Sequence, residues 1–303
     1  MAKNNTPPAI VFILLFFLLV GGGYWFLLNQ NQPDTNKNVV NNPSAKLNIA
    51  KAANQIVSNL DTSLPNPNIL AMDGSVTMVK LIKLIENAYE QKYPNIPITY
   101  GVPEGRPNGS NQGIKNLLEN KAQIAAISRT LLPEESLQGN IKLIPIAQDA
   151  LAVVVGINNP YKGSLTLDKL KDIYQGKIIN WSEVGGDDLP IKVINRSPKS
   201  GTYNFFQDVV LLGESFLPDS SNFITYQRDV TTPILRELNN NGISYTTVAQ
   251  AKNQTTVRIM PINDISPVDQ TTPNNDNYPL NRSVFLAVPN QTSLAVKNFL
   301  ELA

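Results

Sequence analysis

The chain predicts an α/β fold, and three features of its sequence carry that expectation. Short runs rich in Ile and Val recur along it, stretches with helical periodicity separate them, and those stretches carry start and stop residues. The runs are "NIPITYGV", "AQIAAIS", "IKLIPIA", "ALAVVVG", "IKVINR", "TTVRIMPI" and "SVFLAVP", each of a length and composition suited to a buried strand. Between them, Val79, Ile82, Ile85 and Tyr89 form one apolar stripe. Leu167, Leu170 and Tyr174 form another, opened by Thr166 and closed by Gly176. A further helix begins at Thr232-Pro233 and stops by Gly242, with Pro early and Gly late. Alternation of this kind implies mainly parallel sheets.

The N-terminal part has a different character. Ala9 to Leu28, "AIVFILLFFLLVGGGYWFLL", holds no charged residue. At about 1.5 Å per residue, a helix of that length spans roughly 30 Å of hydrocarbon. It is read as a transmembrane anchor, with residues 1–8 cytoplasmic and Tyr24 and Trp25 at the outer interface. Lys3 before the span and no further basic residue until Lys37 give the same orientation. A cleaved signal peptide, with Gly21 and Gly23 at the cleavage site, is the alternative. Residues 29–67 are dominated by Asn, Gln, Ser, Thr and Pro and read as a flexible linker. Inside it Ile49, Ala53, Ile56 and Leu60 recur at helical spacing, which places a short helix between Ala45 and Leu60, either free or laid on the main body.

Composition excludes several function classes. The 303 residues include no His and no Cys, so the usual zinc ligand sets, an imidazole base and a thiolate nucleophile are all closed. No cofactor, metal or catalytic residue is expected, and the chain is read as a binder, not an enzyme. With 25 Lys+Arg against 24 Asp+Glu the net charge is +1, and no basic stripe marks a nucleic-acid footprint.

Three strand-to-helix junctions share one chemistry: "DGSVTM" (Asp73 to Met78), "NGSNQGIK" (Asn108 to Lys115) and "KSGTYNFF" (Lys199 to Phe206). Each places Gly and a hydroxyl residue where a helix starts. Helix N-termini present unpartnered N–H groups and the positive end of the dipole, so an anion finds donors already aimed at it. Ordinary N-capping explains any one of them. Three together, one with Arg196 four residues ahead of Ser200, point to an oxyanion site.

The segment Leu151 to Phe206 resembles the phosphate-binding proteins of bacterial ABC importers, and the resemblance runs from about Asn68 to Phe299. It includes Gly74 to Thr77, Gly109 to Glu135, "GKIINWSEVGG" (Gly176 to Gly186), "GISYTT" (Gly242 to Thr247) and "YPLNRSVFLAV" (Tyr278 to Val288). The Trp181 segment and the R-x-x-x-S-G-T arrangement are its most specific parts. The resemblance implies a two-lobed, type II periplasmic-binding-protein-like fold in which the chain crosses twice between lobes and holds its ligand in the cleft. Lobe 1 would comprise about 68–154 and 251–303, and lobe 2 about 155–250. The implied phosphate contacts are Ser75, Val76 and Thr77, then Ser110, then Arg196, Ser200, Gly201 and Thr202. Ser128 and Arg129 stand where many relatives place another contact, and junction chemistry alone does not select them. Relatives usually continue past the position of Ala303, so the resemblance also implies that the closing helix of lobe 1 is incomplete.

Phosphate near neutral pH carries a proton that needs an acceptor, and sulfate carries none, so a buried carboxylate separates the two. Asp149, just before "ALAVVVG", is the candidate acceptor and Asp73 the next; a solvated loop carboxylate is the alternative for Asp149. Gln123 departs from the Asp that relatives often carry there, which leaves ligand charge preference open. Arg129 and Arg196 both suit bidentate oxyanion recognition, the alternative for either being a surface pair with Asp. The expected function is the substrate-binding component of an ABC importer for inorganic phosphate, working with membrane permease and ATPase subunits. A membrane-tethered phosphate sensor or scaffold, or a binder of another tetrahedral oxyanion, is the alternative.

Overall fold

In the computed structural model the described residues are 43–102, 105–138, 140–268 and 277–303; the expected anchor, Ala9 to Leu28, lies outside them. No helix among the described residues is long and apolar enough to cross a membrane.

The first lobe begins earlier than the sequence implies. Helix α1 (Pro43–Ser58) sets Ala53, Ile56 and Val57 on one face, and Val57 and the following Leu60 are buried in the lobe 1 core. Strand β1 (Asp61–Leu64) pairs in parallel with β11 (Gln291–Ser293) near the C-terminus. Much of the segment read as a linker is therefore packed structure; its polar composition hid a four-residue strand whose partner lies at the other end of the chain.

Lobe 1 continues with β2 (Leu70–Gly74), a 3-10 turn at Val76–Met78, α2 (Val79–Lys92), β3 (Ile98–Tyr100), α3 (Ser110–Leu118), β4 (Ile124–Ile127) and α4 (Pro133–Gln138). Strand β5 (Ile141–Gly156) then runs out of lobe 1 into lobe 2. Lobe 2 holds α5 (Leu167–Tyr174), β6 (Lys192–Asn195), α6 (Gly201–Val209), β7 (Phe223–Thr225), α7 (Thr232–Arg236), β8 (Gly242–Thr247), α8 (Val248–Ala251) and β9 (Val257–Met260). The chain returns through β10 (Asn281–Pro289) and β11 and ends on α9 (Leu294–Leu300).

Strand order is β3-β2-β4-β10-β5-β8-β6-β7, with β9 also on β5. Pairs within each wing, β2 with β3 and β4, β6 with β7 and β8, are parallel. The strands that join the wings, β10 and β5, pair antiparallel to their neighbours, so the sheet is mixed rather than mainly parallel. "IKLIPIA" and "ALAVVVG", which read as separate strands, form the single 16-residue β5. Its register against β10 shifts once: Val284 faces Ala147 and Phe285 faces Pro145, leaving Ile146 as a bulge.

Burial on both faces explains the near-continuous apolar runs. In β4, Ile124 and Ala126 join one lobe 1 cluster with Ile82, Tyr89 and Phe299, while Ala125 and Ile127 join another with Ile114 and Leu117. Beyond the crossover, Leu151, Val153 and Val155 pack with Trp181, Tyr174 and Phe206, while Ala152 and Val154 pack with Ile234 and Leu238. The return to lobe 1, expected near Ala251, occurs instead at β10, because β9 pairs with Val153–Gly156 and its Met260 belongs to a lobe 2 core.

Candidate functional site

The three glycine-hydroxyl junctions converge at the seam between the lobes. Strand β2 ends at Gly74 and delivers Ser75 to the 3-10 turn, where its amide donates to Ala126 O at 2.8 Å. Ser75 Oγ lies 2.8 Å from Thr77 Oγ1 and 3.1 Å from Ser128 Oγ, and Ser128 Oγ lies 3.3 Å from Ser110 Oγ at the start of α3. The Ser128 amide donates to Ser110 Oγ at 3.1 Å. Four hydroxyls from one lobe thus form a connected row, and Ser75, Ser110 and Ser128 are essentially without solvent contact.

The third junction closes on this row from lobe 2. A Cβ at Gly201 would stand 2.3 Å from Ser110 Oγ and 2.7 Å from Ser128 Oγ, so only glycine lets the α6 start approach. The Asn111 amide donates to Lys199 O at 3.2 Å, and Asn111 Nδ2 to Pro198 O at 2.8 Å, joining junctions two and three. Ser200 caps α6 by accepting from the Thr202 amide, and it also accepts from Arg196 Nε at 3.2 Å. Already an acceptor twice, the Ser200 hydroxyl has its own proton to offer.

Arg196 is buried and forms a 2.5 Å ion pair with Asp229 Oδ1, with a further bond to Thr231 Oγ1 at 3.3 Å. Asp229 Oδ2 is buried and has no hydrogen-bond donor among the described residues. It faces the second junction, 3.3 Å from the position of a Cβ on Gly109. Such an orphaned carboxylate oxygen needs a donor from elsewhere.

The other arginine of the sequence reading is differently placed. Arg129 donates to Glu135 through both terminal nitrogens at 2.7 Å, to Asn111 Oδ1 through Nε and Nη2, and to Thr130 O through Nη1. A guanidinium has five N–H groups, and these bonds occupy all of them. Arg129 therefore braces α4 and Asn111 and has no donor left for a ligand. Val76 opens the 3-10 turn beside the row and is half-buried.

Asp149 also departs from expectation. It sits opposite Arg282 across β5 and β10 and accepts from Arg282 Nη2 at 2.9 Å and from the Ala150 amide at 2.9 Å. Arg282 Nη1 reaches Thr202 Oγ1 at 3.0 Å, and Nη2 reaches Thr77 Oγ1 at 3.4 Å. Asp73 is the buried brace of the first two junctions, accepting from the Gly74 and Asn108 amides and from Asn108 and Asn116 side chains. Burial still raises its pKa, against those hydrogen bonds. Burial likewise pushes the Tyr100 hydroxyl well up, with the charges of Asp73 and Asp229 adding to it, and that hydroxyl donates to Ser75 O at 2.7 Å. Gln123 accepts from the Ala71 amide at 2.8 Å and ties the start of β4 to β2.

Sequence reasoning missed Arg282 and Asp229. A signal existed for the first, since Arg282 is the only charge in the apolar segment Tyr278 to Val288. None marks Asp229, which lies in the polar stretch "TYQRDVTT".

A family model described as the PBP superfamily domain matches residues 61–303. This chain belongs to the PBP superfamily. It is 28% identical over 243 residues to the phosphate-binding protein PstS of Borreliella burgdorferi, covering 75% of this chain and 80% of that one. It is 27% identical over 240 residues to the phosphate-binding protein PstS of Pseudomonas aeruginosa, covering 72% of each chain. Among solved structures it is similar to a putative phosphate ABC transporter substrate-binding protein with bound phosphate from Clostridium perfringens. That match has a TM-score of 0.65 at 29% identity and covers 78% of this chain and 92% of the other.

Proposed function

We propose that this chain is the substrate-binding component of an ABC importer and captures inorganic phosphate between its lobes. The observation that carries this reading is the meeting of the hydroxyl row of Ser75, Thr77, Ser110 and Ser128 with the Ser200–Thr202 helix start and the buried Arg196. Neutral donors, a helix dipole and one arginine with donors to spare suit a tetrahedral oxyanion. The names of its relatives point the same way.

Lobe 1 offers its hydroxyls first, and lobe 2 then swings about the β5 and β10 crossovers to bring in Arg196 and the α6 start. Closure excludes water and so strengthens each charge-dipole contact. Asp149 is held by Arg282, and Asp73 is saturated, so the acceptor for a ligand proton is Asp229 through Oδ2. Residues 9–28 anchor the chain, and the lobes work outside the membrane with permease and ATPase subunits as partners.

Titration calorimetry on the full-length chain in detergent, run in parallel with phosphate, arsenate, sulfate and a phosphonate, tests this. Binding of phosphate and arsenate with weak or absent sulfate binding is expected. No heat and no thermal shift with phosphate would overturn it. The intact mass of the membrane-extracted protein should include Ala9 to Leu28; its loss would replace the anchor by a cleaved leader.

A further inference from the structure

We propose that Arg282 is a positioning residue that fixes the donor direction of the cleft hydroxyls and so makes the site one for anions. This rests on the oxyanion reading above and concerns how the site achieves it. Hydroxyls both donate and accept, so a row of them has no sign of its own. A guanidinium only donates, and whatever it touches must accept. Thr202 Oγ1 accepts from Arg282 Nη1 at 3.0 Å and Thr77 Oγ1 from Nη2 at 3.4 Å, which turns both threonine protons away from Arg282.

From Thr77 the direction propagates. Ser75 donates to Ser128 Oγ at 3.1 Å, which leaves the Thr77 proton for the 2.8 Å contact between Thr77 Oγ1 and Ser75 Oγ; Ser128 Oγ and Ser110 Oγ are 3.3 Å apart, and the proposed direction has Ser128 donating there. Ser110 Oγ already accepts from the Ser128 amide, so the proton at the end of the row is the one Ser110 presents beside Gly201. The Ser75-to-Ser128 bond already points one way, and Arg282, which cannot accept, holds the Thr77 proton toward that row and away from itself.

The surroundings of Arg282 keep it in that orientation. Its side chain is buried; Asp149 accepts from Nε and Nη2 at 3.3 and 2.9 Å, and the guanidinium lies 5.6 Å from the centre of the Phe205 ring. Both crossover strands supply the pair, Asp149 from β5 and Arg282 from β10, while the two threonines belong to opposite lobes. Arg282 therefore touches both jaws and both crossovers, and its orientation of Thr77 and Thr202 is complete when the lobes are together.

The test is a double-mutant cycle on the full-length chain, read as the dissociation constant for inorganic phosphate. Arg282→Gln, whose amide both donates and accepts, is expected to weaken binding by about thirtyfold, the size of a lost charge-assisted hydrogen bond. In a Thr77→Val, Thr202→Val background the same substitution should cost no more than about twofold, because the hydroxyls it directs are gone. An equal penalty in both backgrounds, or no penalty in the first, overturns the proposal and leaves Arg282 a hinge or charge residue. If Arg282→Gln fails to fold by circular dichroism, Arg282→Lys replaces it: it lacks the planar fork that meets the two threonines from separate nitrogens, and its loss of about fivefold should vanish in the double-valine background. A wild-type chain that binds no phosphate overturns the oxyanion reading at the first titration, whereas wild-type binding without coupling overturns only the role of Arg282.

Discussion

On the lobe 1 side of the cleft, Ser75, Thr77, Ser110 and Ser128 bring hydroxyls that bond to one another, whereas on the lobe 2 side Arg196 and Asp229 bring a buried ion pair. Lobe 1 also has a buried arginine beside the site, but Arg129 has every donor occupied by Glu135, Asn111 and Thr130. Arg196 makes three such bonds, to Ser200, Thr231 and Asp229. Burial and proximity do not separate these two residues. Counting donors does, because a guanidinium has five and a ligand can use only those left over.

The largest effect should come from removing the lobe 2 charge. Arg196→Met is expected to cost about 2–4 kcal/mol of phosphate affinity by calorimetry. It also leaves Asp229 buried and unpaired, so the melting temperature should fall as well. Arg129→Met should cost about 3 kcal/mol of stability in chemical denaturation, because Glu135 loses its buried partner. The protein that remains folded should keep its phosphate affinity, and a tenfold affinity loss at unchanged stability would erase the contrast between the two arginines. Gly201→Ala puts a methyl onto Ser110 and Ser128 and should weaken binding by about 1–3 kcal/mol while leaving ligand-free melting nearly unchanged.

Asp229→Asn sharpens the lobe 2 side alone. The phosphate-over-sulfate preference should shrink by about tenfold, since an amide at that position can donate to an unprotonated oxygen. Parallel losses for both anions would reduce Asp229 to the counterion of Arg196. The smallest effect is remote from the cleft. Glu86 is buried on α2, 3.7 Å from Lys83, and burial raises its pKa above the usual 4.5. A raised folded pKa means that its contribution to stability is present below the unfolded value and lost as pH rises through the folded one. Glu86→Gln should therefore raise the melting temperature at pH 7 by about 1–3 °C, with the gain gone by about pH 4.

Local patterns in the chain carried the strands, the helix ends and the donor junctions. Thr166 caps α5, Ser200 caps α6, and the hydroxyls of the junction residues Ser75, Thr77 and Ser110 lie in one row, joined by Ser128, which junction chemistry does not select. Pairing was not legible. "TTVRIMPI" reads as a strand, yet nothing local tells it to join β5 in lobe 2, and β1 finds its partner more than two hundred residues away. The same limit misplaced Asp149, whose role follows from the strand beside it, and hid Asp229, which becomes a site residue only when lobe 2 folds it onto Arg196.

The bulge at Ile146 has a consequence for the cleft that it never touches. Asp149 lies four residues from Pro145 on β5, whereas their partners Arg282 and Phe285 lie three apart on β10. Side chains alternate faces along a strand, so that one unmatched residue resets the parity between the lobe 1 core and the crossover. Deleting Ile146 would keep every residue of the site and still turn one half of β5 over, sending either Asp149 or the apolar partners of lobe 1 to the wrong face. The handedness of the site is thus a matter of odd and even numbers, set by a residue with no chemistry of its own.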